Sequence, residues 1–179
     1  MTHPIYMIVA VDEHHGIGKD GHLPWKLKKE YKYFRDTTRK VDDLTKQNMV
    51  IMGHHTWDSL EPEFRPLPNR KNVILTRNTD YKLSADEKYQ DVSICNSIDK
   101  AIALADDKIE KIFILGGGQI FKEFINNPRL TGIYLTKVHK TFDCDTFFPE
   151  IPATFKGSEK IGSDEENGIS YDFLLFSHP

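Results

Sequence analysis

Length, composition and charge set the first limits on this protein. Its 179 residues fit one domain with a sizeable core, and its 39% hydrophobic and 28% charged residues are ordinary for a globular chain. The formal net charge of −3 gives no electrostatic reason to expect nucleic acid or an anionic membrane as a partner. An anionic ligand must therefore be bound by a local cluster of lysine and arginine side chains.

The first apolar run and the two cysteines indicate the cellular compartment in which the protein works. Residues 5–11 are too few to span a membrane, and they lack the basic segment and small-residue cleavage site of a secretion signal. Cys95 and Cys144 have no CxxC spacing and suit a reducing compartment. We expect a cytoplasmic monomer that binds small molecules and has no nucleic-acid or membrane partner.

Short apolar runs alternate with helical patterns, and the chain has no repeat or linker, which predicts a single α/β domain over residues 1–179. Buried strands are predicted at residues 5–11, 49–52, 73–75, 92–94, 112–115 and 133–135. Helices are predicted at about 26–38, 55–60, 97–105 and 118–126. This alternation indicates a parallel sheet covered on both faces.

The end of the chain has a different pattern. Apolar and polar residues alternate after an Asn167-Gly168 turn signal, which predicts an antiparallel C-terminal hairpin. Residues 40–47 and 61–70 are predicted to be loops.

Glu30 is an unusual residue in the first predicted helix. Leu27, Tyr31 and Phe34 recur at the spacing of one buried face, and Glu30 lies on or beside that face. An ionised carboxylate there is costly unless something pairs with it. The alternative is that Glu30 lies at the edge of the face in contact with solvent.

The strongest local signal is the segment LGGGQIF at residues 115–121. An apolar strand runs into three glycines and then into a helix, so that a phosphate could approach the backbone at the helix N-terminus. The segment has neither Walker A spacing nor the G-x-G-x-x-G pattern. The alternative is a tight strand-to-helix turn without a ligand.

Two more predicted strand ends carry polar residues. Gly53 precedes Thr56, which could cap the next helix or bind a phosphate, and Thr76 and Arg77 leave the following strand. Ligands bind outside the carboxyl ends of parallel strands, so these ends indicate one extended anionic ligand such as a dinucleotide. The alternative is that the polar side chains are merely solvated. His54 and His55 point about 100° apart on a helix and have no third ligand in view, so we predict no metal site.

Arg70 precedes a strand, and its planar guanidinium is suited to binding a carboxylate through two hydrogen bonds. The alternative is an exposed loop arginine. The chain has no G-x-S-x-G, no H-E-x-x-H and no signature of a nucleophilic cysteine. A cofactor that performs the difficult chemical step fits this sparse set of reactive groups.

Taken in order, these motifs resemble the dihydrofolate reductase family. The resemblance covers nearly the whole chain and rests on VAVDEHHGIGKDGHLPW, VIMGHHTWDSL, RPLPNRKNVILTR, ILGGGQIF, IYLTKV and DTFFP. It implies an α/β fold with a twisted, mainly parallel eight-stranded sheet, flanking helices and an antiparallel C-terminal strand.

The resemblance also implies roles for single residues in catalysis and substrate binding. Glu30 would accept two hydrogen bonds from N3–H and the 2-amino group of the pterin ring, and Thr136 would orient it. Arg70 would bind the α-carboxylate of the glutamate tail. Residues 16–25 would form a mobile lid, in which Leu23 and Trp25 complete the catalytic group. The apolar walls of the substrate site would be Ile8, Tyr31, Phe34, Leu60, Leu67 and Leu115.

The same resemblance implies a binding site for NADPH. The residues that would hold it are Ala10, Ile17, Gly53, His54, His55, Thr56, Thr76, Arg77, Gly117, Gly118, Gln119, Ile120 and Phe121. Three of them depart from the family. His54 lies where relatives usually carry arginine or lysine, Gln119 replaces a frequent arginine or serine, and Phe121 replaces a frequent tyrosine. These departures bear on cofactor affinity and 2′-phosphate recognition, not on the reaction class.

The activity that the resemblance implies is NADPH-dependent reduction of 7,8-dihydrofolate to 5,6,7,8-tetrahydrofolate, with hydride transfer to C6 and protonation of N5. An alternative enzyme is the related reductase of pyrimidine intermediates in riboflavin synthesis. A third possibility is a non-catalytic protein that binds pterins or nucleotides. No role is assigned to the loop at 40–47.

Overall fold

A computed structural model describes residues 2–178 as ten strands and four α-helices. The strands are β1 (Ile5–Val11), β2 (Gly16–Gly18), β3 (Gln47–Gly53), β4 (Arg70–Leu75), β5 (Ser93–Cys95), β6 (Ile109–Ile114), β7 (Leu130–Val138), β8 (Thr146–Phe147), β9 (Ser158–Glu166) and β10 (Ile169–Ser177). The helices are α1 (Lys28–Arg39), α2 (His54–Ser59), α3 (Ile98–Ile102) and α4 (Gly118–Phe124). None of these helices is long and apolar enough to cross a membrane.

Eight strands form one sheet in the order β5-β4-β3-β6-β1-β7-β10-β9. The first six are parallel, and β10 pairs antiparallel with both β7 and β9. Two of the strands, β9 and β10, form the C-terminal hairpin around Asn167 and Gly168, which both have positive φ. The predicted α/β fold, with its mainly parallel eight-stranded sheet and antiparallel end, is confirmed.

Residues 49–52 of β3 are continuously apolar because both faces of the strand are buried at these positions. Successive side chains of a strand point to opposite faces of the sheet. Met49 and Ile51 pack into one core cluster, whereas Val50 and Met52 pack into a second cluster with Trp57. Both faces of β3 are therefore buried, as a parallel sheet with helices on each side requires.

The observed elements differ from the predicted ones mainly at their ends. Helix α1 begins at Lys28 rather than at 26, because Leu27 is still extended, with φ −123° and ψ 98°. Helix α3 is shorter than predicted and begins after Ser97, whose side chain caps the Lys100 N–H. The loop predicted at 61–70 contains a short 3₁₀ helix at Pro62–Phe64. The last residue of each predicted loop belongs to a strand instead: Gln47 is the first residue of β3, and Arg70 is the first residue of β4.

A small second sheet, β2 with β8, is absent from the prediction. Its strands have three and two residues, and β2 contains two glycines, so neither shows the apolar pattern from which strands are recognised. This sheet ties the segment after β1 to the segment after β7. It therefore fixes the part of the chain that lies above the carboxyl end of β1.

Candidate active site

A cleft of about 950 Å³ opens where β1, β3, β4 and β6 end. Helix α1 and the segment from β2 to Leu23 form further walls. Most of the residues predicted for a substrate or cofactor site line it: Ile8, Ala10, Ile17, Leu23, Glu30, Tyr31, Phe34, Gly53, His54, His55, Thr56, Leu60, Leu67, Thr76, Arg77, Leu115, Gly117, Gly118, Gln119, Ile120 and Phe121. Trp25, Arg70 and Thr136 are not part of this lining, although Thr136 contacts Glu30, which is.

Glu30 lines the cleft from the first turn of α1, and only 6% of its surface is exposed. Burial raises its pKa from 4.5 to about 7 against a lowering contribution from Thr136, whose hydroxyl donates a hydrogen bond to Oε1 at 3.2 Å. Among the described residues this is the single hydrogen bond to the Glu30 side chain. One carboxylate oxygen and part of the other are therefore open to a ligand.

Apolar side chains surround Glu30 on both walls of the cleft. Ile8 and Leu67 are buried, whereas Phe34, Leu60 and Leu115 are half-buried. The prediction that Leu27, Tyr31 and Phe34 form one buried helix face is wrong for Tyr31, which is 43% exposed. Its side chain borders the open cleft instead of packing into the core, and Leu27 is buried although it precedes the helix.

Arg70 is buried at the start of β4, with 6% of its surface exposed. Its guanidinium donates hydrogen bonds to Thr38 Oγ1 at 2.7 Å and to the Pro68 carbonyl oxygen at 3.1 Å. Burial, together with the nearby Arg39 and Arg35, lowers its pKa to about 10. No carboxylate within residues 2–178 forms an ion pair with it, so its charge is held by neutral acceptors alone.

The glycine segment after β6 forms a tight turn against the end of β3. Gly116 has φ +99°, and a Cβ there would lie 2.6 Å from the Phe121 ring. The Gly53 N–H donates a hydrogen bond to the Gly116 carbonyl at 2.8 Å, which joins the two strand ends. A Cβ on Gly118 would lie 2.9 Å from Thr146 Cγ2. Glycine is required here for the turn and for close packing, and the turn exposes backbone to the cleft.

Helix α2 starts directly at the cleft with His54, whose ring centroid lies 3.9 Å from that of His55. Its N-cap is Gly53, and no side chain caps it. The suggestion that Thr56 caps this helix is therefore wrong, because Thr56 is its third residue. The first N–H groups of α2 have no side-chain acceptor, and Thr56 lines the cleft beside them.

Arg77 lies at the far end of the cleft and is paired within the chain. Its guanidinium contacts Glu123 Oε1 at 3.0 Å, and the Gln119 side-chain amide donates to the same oxygen, also at 3.0 Å. Three quarters of the Arg77 side chain is exposed. Phe121, by contrast, is 2% exposed and packs edge-to-face against Phe148, so it belongs mainly to the core.

Asp12 organises the segment that covers the cleft, a role that the sequence did not reveal. Its carboxylate accepts hydrogen bonds from the N–H groups of His14, Gly16 and Phe142 at 2.8, 2.7 and 3.0 Å. Burial would raise the pKa of Asp12, but these three donors outweigh it and hold the pKa below its usual value. Trp25, at the end of the covering segment, packs edge-to-face on Phe142. Only the hydrogen bond from Phe142 is long-range, across 130 positions, and that contact leaves no local sequence signal.

Several cleft residues were not predicted as site residues. Six of them lie in loops, namely Gly21, His22, Asn78, Asn96, Ser97 and Asn127, whereas Asp99 lies in α3 and Thr146 in β8. Asn96 and Ser97 follow β5, and the carboxyl-end rule would have indicated them had that strand been placed beside β4. Among residues 2–178 no cluster of metal-ligating side chains occurs.

Comparison with known proteins agrees with this geometry. The family model for dihydrofolate reductase matches residues 4–178. The chain is 40% identical over 180 residues to the dihydrofolate reductase of Aedes albopictus, with 95% of each chain covered. It is 38% identical over 176 residues to that of Drosophila melanogaster, with 94% of each covered. It is also 39% identical over 176 residues to the bifunctional dihydrofolate reductase-thymidylate synthase of Glycine max, of whose length it covers 33%.

Proposed function

This chain belongs to the dihydrofolate reductase family, and we propose that it catalyses the NADPH-dependent reduction of 7,8-dihydrofolate to 5,6,7,8-tetrahydrofolate. The observation that carries the proposal is a buried carboxylate, Glu30, in the wall of a cleft that a glycine-rich strand-to-helix turn also lines. A cytoplasmic monomer that acts in one-carbon metabolism is part of the same proposal.

Glu30 orients the substrate. Its free carboxylate oxygens accept hydrogen bonds from N3–H and the 2-amino group of the pterin ring. Thr136 fixes the rotation of the carboxylate by its hydrogen bond to Oε1. The apolar walls, which include Ile8 and Phe34, hold the ring and exclude water from its faces. Leu23 closes the end of the site at the covering segment, and Trp25 anchors that segment by packing on Phe142.

The charge of Glu30 also influences protonation of the substrate at N5. With a pKa raised to about 7 by burial, both of its protonation states are populated near neutral pH. A protonated pterin ring brings a positive charge next to the carboxylate and favours its ionised form. The ionised carboxylate in turn favours protonation of N5, which takes its proton from water admitted past the covering segment. No side chain needs to contact N5.

The other half of the cleft fits a dinucleotide. The volume of about 950 Å³ lies at the upper end of the range for small-molecule sites and suits two ligands side by side. Phosphates would lie against the start of α2 and against Gly117 and Gly118, where no side chain of the glycines covers the backbone N–H groups. Thr76 and Arg77 would hold the adenosine end. Bound NADPH supplies the hydride that C6 of the pterin ring receives.

The proposal is tested by mixing the purified chain with NADPH and 7,8-dihydrofolate and following the cofactor absorbance. Turnover is expected, and its absence would overturn the proposal in favour of a binding protein. Pyrimidine intermediates of riboflavin synthesis serve as the competing substrate, and faster turnover of these would identify the related reductase instead.

Glu30→Gln tests the role of the carboxylate. We expect kcat/KM for dihydrofolate to fall about 100-fold or more, the scale for positioned proton-transfer groups. The remaining activity should rise as the pH falls, because protonation of N5 in solution replaces the lost group. Glu63→Gln, an exposed acid outside the cleft, is the matched control and should leave kcat/KM unchanged. A Glu30→Gln variant within about twofold of wild type would contradict the assignment.

A further inference from the structure

Tyr81 connects two walls of the cleft. Its hydroxyl donates a hydrogen bond to Asp58 Oδ1 at 2.9 Å, and its ring centroid lies 5.1 Å from that of His54. His54 and Asp58 both belong to helix α2, whereas Tyr81 lies in the loop that follows β4. The contact therefore joins this loop to the helix across 23 positions of the chain.

The turn that carries Tyr81 begins at the end of β4 and includes Arg77. The Asn78 N–H donates a hydrogen bond to Thr76 Oγ1 at 3.1 Å, and the Tyr81 N–H donates one to the Asn78 carbonyl oxygen at 3.2 Å. Thr76, Arg77 and Asn78 all line the cleft. The position of Tyr81 is thus coupled by two local hydrogen bonds to the residues that form this wall.

On the helix side, the acceptor of the Tyr81 hydroxyl is itself held in place. Asp58 Oδ1 lies 3.6 Å from Nη1 of Arg65, and the same nitrogen donates a hydrogen bond to the Trp57 carbonyl oxygen at 3.1 Å. Trp57 is buried and packs into the core cluster that includes Val50. Asp58 therefore sits on a helix that is anchored in the core.

The Tyr81 hydroxyl is suited to act as a permanent donor. Burial raises the pKa of Tyr81 to about 12, and the hydrogen bond to Asp58 adds to this effect, so the hydroxyl keeps its proton at neutral pH. The ring is half-buried and packs against the core cluster of Trp57. Replacing Tyr81 by phenylalanine would therefore remove one hydrogen bond without changing the net charge.

The contact between Tyr81 and Asp58 is independent of the Arg77 side chain. Arg77 forms a second tie of the same turn, its ion pair with Glu123 on α4. A phosphate that binds the Arg77 guanidinium competes with Glu123 and weakens that tie. The hydrogen bond from Tyr81 involves neither residue, so it continues to hold the turn against α2 when the phosphate is bound.

We propose that Tyr81 is a positioning residue for the cofactor, which holds the turn of Thr76 and Arg77 at the distance from helix α2 that one dinucleotide spans. The inference rests on the proposed function and deepens it. NADPH would contact Arg77 with its 2′-phosphate and His54 and Thr56 with its central part. Contacts that are joined in one ligand reinforce each other only when their spacing matches the ligand. A ligand that reaches only the Arg77 wall needs no such spacing.

The test compares NADPH with adenosine 2′-monophosphate, which carries the 2′-phosphate but lacks the pyrophosphate and the nicotinamide. Dissociation constants are measured by calorimetry. We expect that of NADPH to rise about threefold in Tyr81→Phe, which loses one hydrogen bond. It should rise about tenfold in Tyr81→Ala, which also loses the aromatic contact with His54. The dissociation constant of adenosine 2′-monophosphate should not change in either variant.

Asp58 provides a matched pair of variants. Asp58→Asn keeps a side-chain oxygen that can accept the hydrogen bond, whereas Asp58→Ala does not. Both remove the same charge, so the difference between them isolates the hydrogen bond. NADPH should bind about threefold more weakly to Asp58→Ala than to Asp58→Asn, and adenosine 2′-monophosphate should bind both equally. This pair decides the question if Tyr81→Ala does not fold.

Tyr89→Phe is the control for loss of a hydroxyl. Tyr89 lies later in the same segment, in a short 3₁₀ helix, and its hydroxyl forms no hydrogen bond to another described residue. This variant should bind both ligands as the wild type does.

Three results would overturn the inference: an NADPH dissociation constant that Tyr81→Ala leaves unchanged, an equal rise for both ligands, or a rise in Tyr89→Phe as large as in Tyr81→Phe. The second result would show that Tyr81 shapes the Arg77 wall itself and not its distance from α2. Equal NADPH binding by Asp58→Ala and Asp58→Asn would overturn it as well. A wild type that binds neither ligand would contradict the proposed function, and the inference with it.

Discussion

Arg70 is a buried cation with no carboxylate partner among the described residues. Leaving a charge in this state is costly, and the burial that lowers its pKa to about 10 is a direct sign of that cost. At neutral pH the guanidinium is nevertheless charged, and neutral oxygens of Thr38 and Pro68 hold it in place. A bound carboxylate would therefore gain a preoriented, weakly hydrated partner.

Arg70→Leu should weaken substrate binding and leave the chemical step largely intact. A charge-assisted contact contributes about 1.5–3 kcal/mol, so we expect KM for dihydrofolate to rise about 10- to 150-fold with kcat little changed. Steady-state kinetics with a substrate analogue that lacks the glutamate tail is the matched control and should show no change. Equal weakening of both substrates would make Arg70 a structural residue.

Glu123 bears on the choice between NADPH and NADH. Its carboxylate forms an ion pair with the Arg77 guanidinium, which we propose as the main binding partner of the 2′-phosphate. The carboxylate and the phosphate would therefore compete for one cation. Glu123→Gln should therefore tighten NADPH about twofold to fivefold, the range for an exposed pair, and leave NADH unchanged.

Arg77→Ala is the companion variant and should remove most of the preference for NADPH. Dissociation constants of both cofactors in the wild type and the two variants provide the measurement. If Glu123→Gln tightens NADH to the same extent, the effect is a general loss of negative charge, and Arg77 does not read the phosphate.

At the scale of elements, helix α1 depends on a cap from the far end of the chain. Its N-cap residue, Leu27, offers no side-chain acceptor. Glu166, at the end of β9, accepts hydrogen bonds from the N–H groups of Lys28 at 2.8 Å and Lys29 at 3.1 Å. These two donors lower the pKa of Glu166, and Glu30 lies in the same first turn. The C-terminal hairpin thus fixes the start of the helix that carries the cleft carboxylate.

Glu166→Ala should lower the urea midpoint of unfolding at neutral pH. Because the cap lowers the pKa of Glu166, its stabilisation is present above the usual carboxyl pKa and is lost as the pH falls below it. The difference from the wild type should therefore vanish in acid. We also expect a smaller loss of kcat/KM than for Glu30→Gln, with a changed pH profile, because the carboxylate of Glu30 remains but is held less firmly.

Glu165→Ala is the matched control for the cap. It removes the same side chain one position away, where the Glu165 carboxylate has no hydrogen bond to another described residue. An equal loss of stability in Glu165→Ala and Glu166→Ala would show that hairpin charge, not the cap, stabilises the helix start.

At the scale of the whole molecule, Glu30 makes the stability of the unliganded protein depend on pH. Its folded-state pKa of about 7 lies above the ordinary 4.5, so the folded state binds this proton more tightly than the unfolded state. The associated stability is complete below about pH 4.5 and is lost as the pH rises through about 7. With 1.36 kcal/mol per pKa unit, the loss amounts to about 3 kcal/mol.

Glu30→Gln should therefore raise the free energy of unfolding of the unliganded protein at about pH 8 by up to 3 kcal/mol, and change it little at about pH 4. Urea unfolding at both pH values checks this, with Glu63→Gln as the exposed control. A Glu30→Gln protein that is less stable than the wild type at the higher pH would show that the carboxylate is already stabilised without ligand. Such a result would also contradict the proposed dependence of Glu30 on substrate.

Local sequence patterns determined the sheet and most of the cleft. Strand β1 has the predicted bounds, Ile5–Val11, because an uninterrupted apolar run of this short length favours a strand that is buried on both faces. The glycine turn after β6 and the polar residues that follow β3 and β4 were also predictable, because each directly follows a short apolar run. Their order along the chain, read with the carboxyl-end rule, predicted the edge of the sheet at which the cleft opens.

Tertiary structure alone decided which charges have partners. Glu30 meets Thr136 across 106 positions, Arg77 meets Glu123 across 46, and Glu166 caps α1 across 138. Asp12 likewise joins Phe142 across 130 positions. Hydrophobic periodicity is a property of neighbours in sequence and can be read directly. The environment of a carboxylate or guanidinium depends on which distant backbone and side-chain groups the fold brings within hydrogen-bonding distance, and that distance is set only when the sheet is assembled.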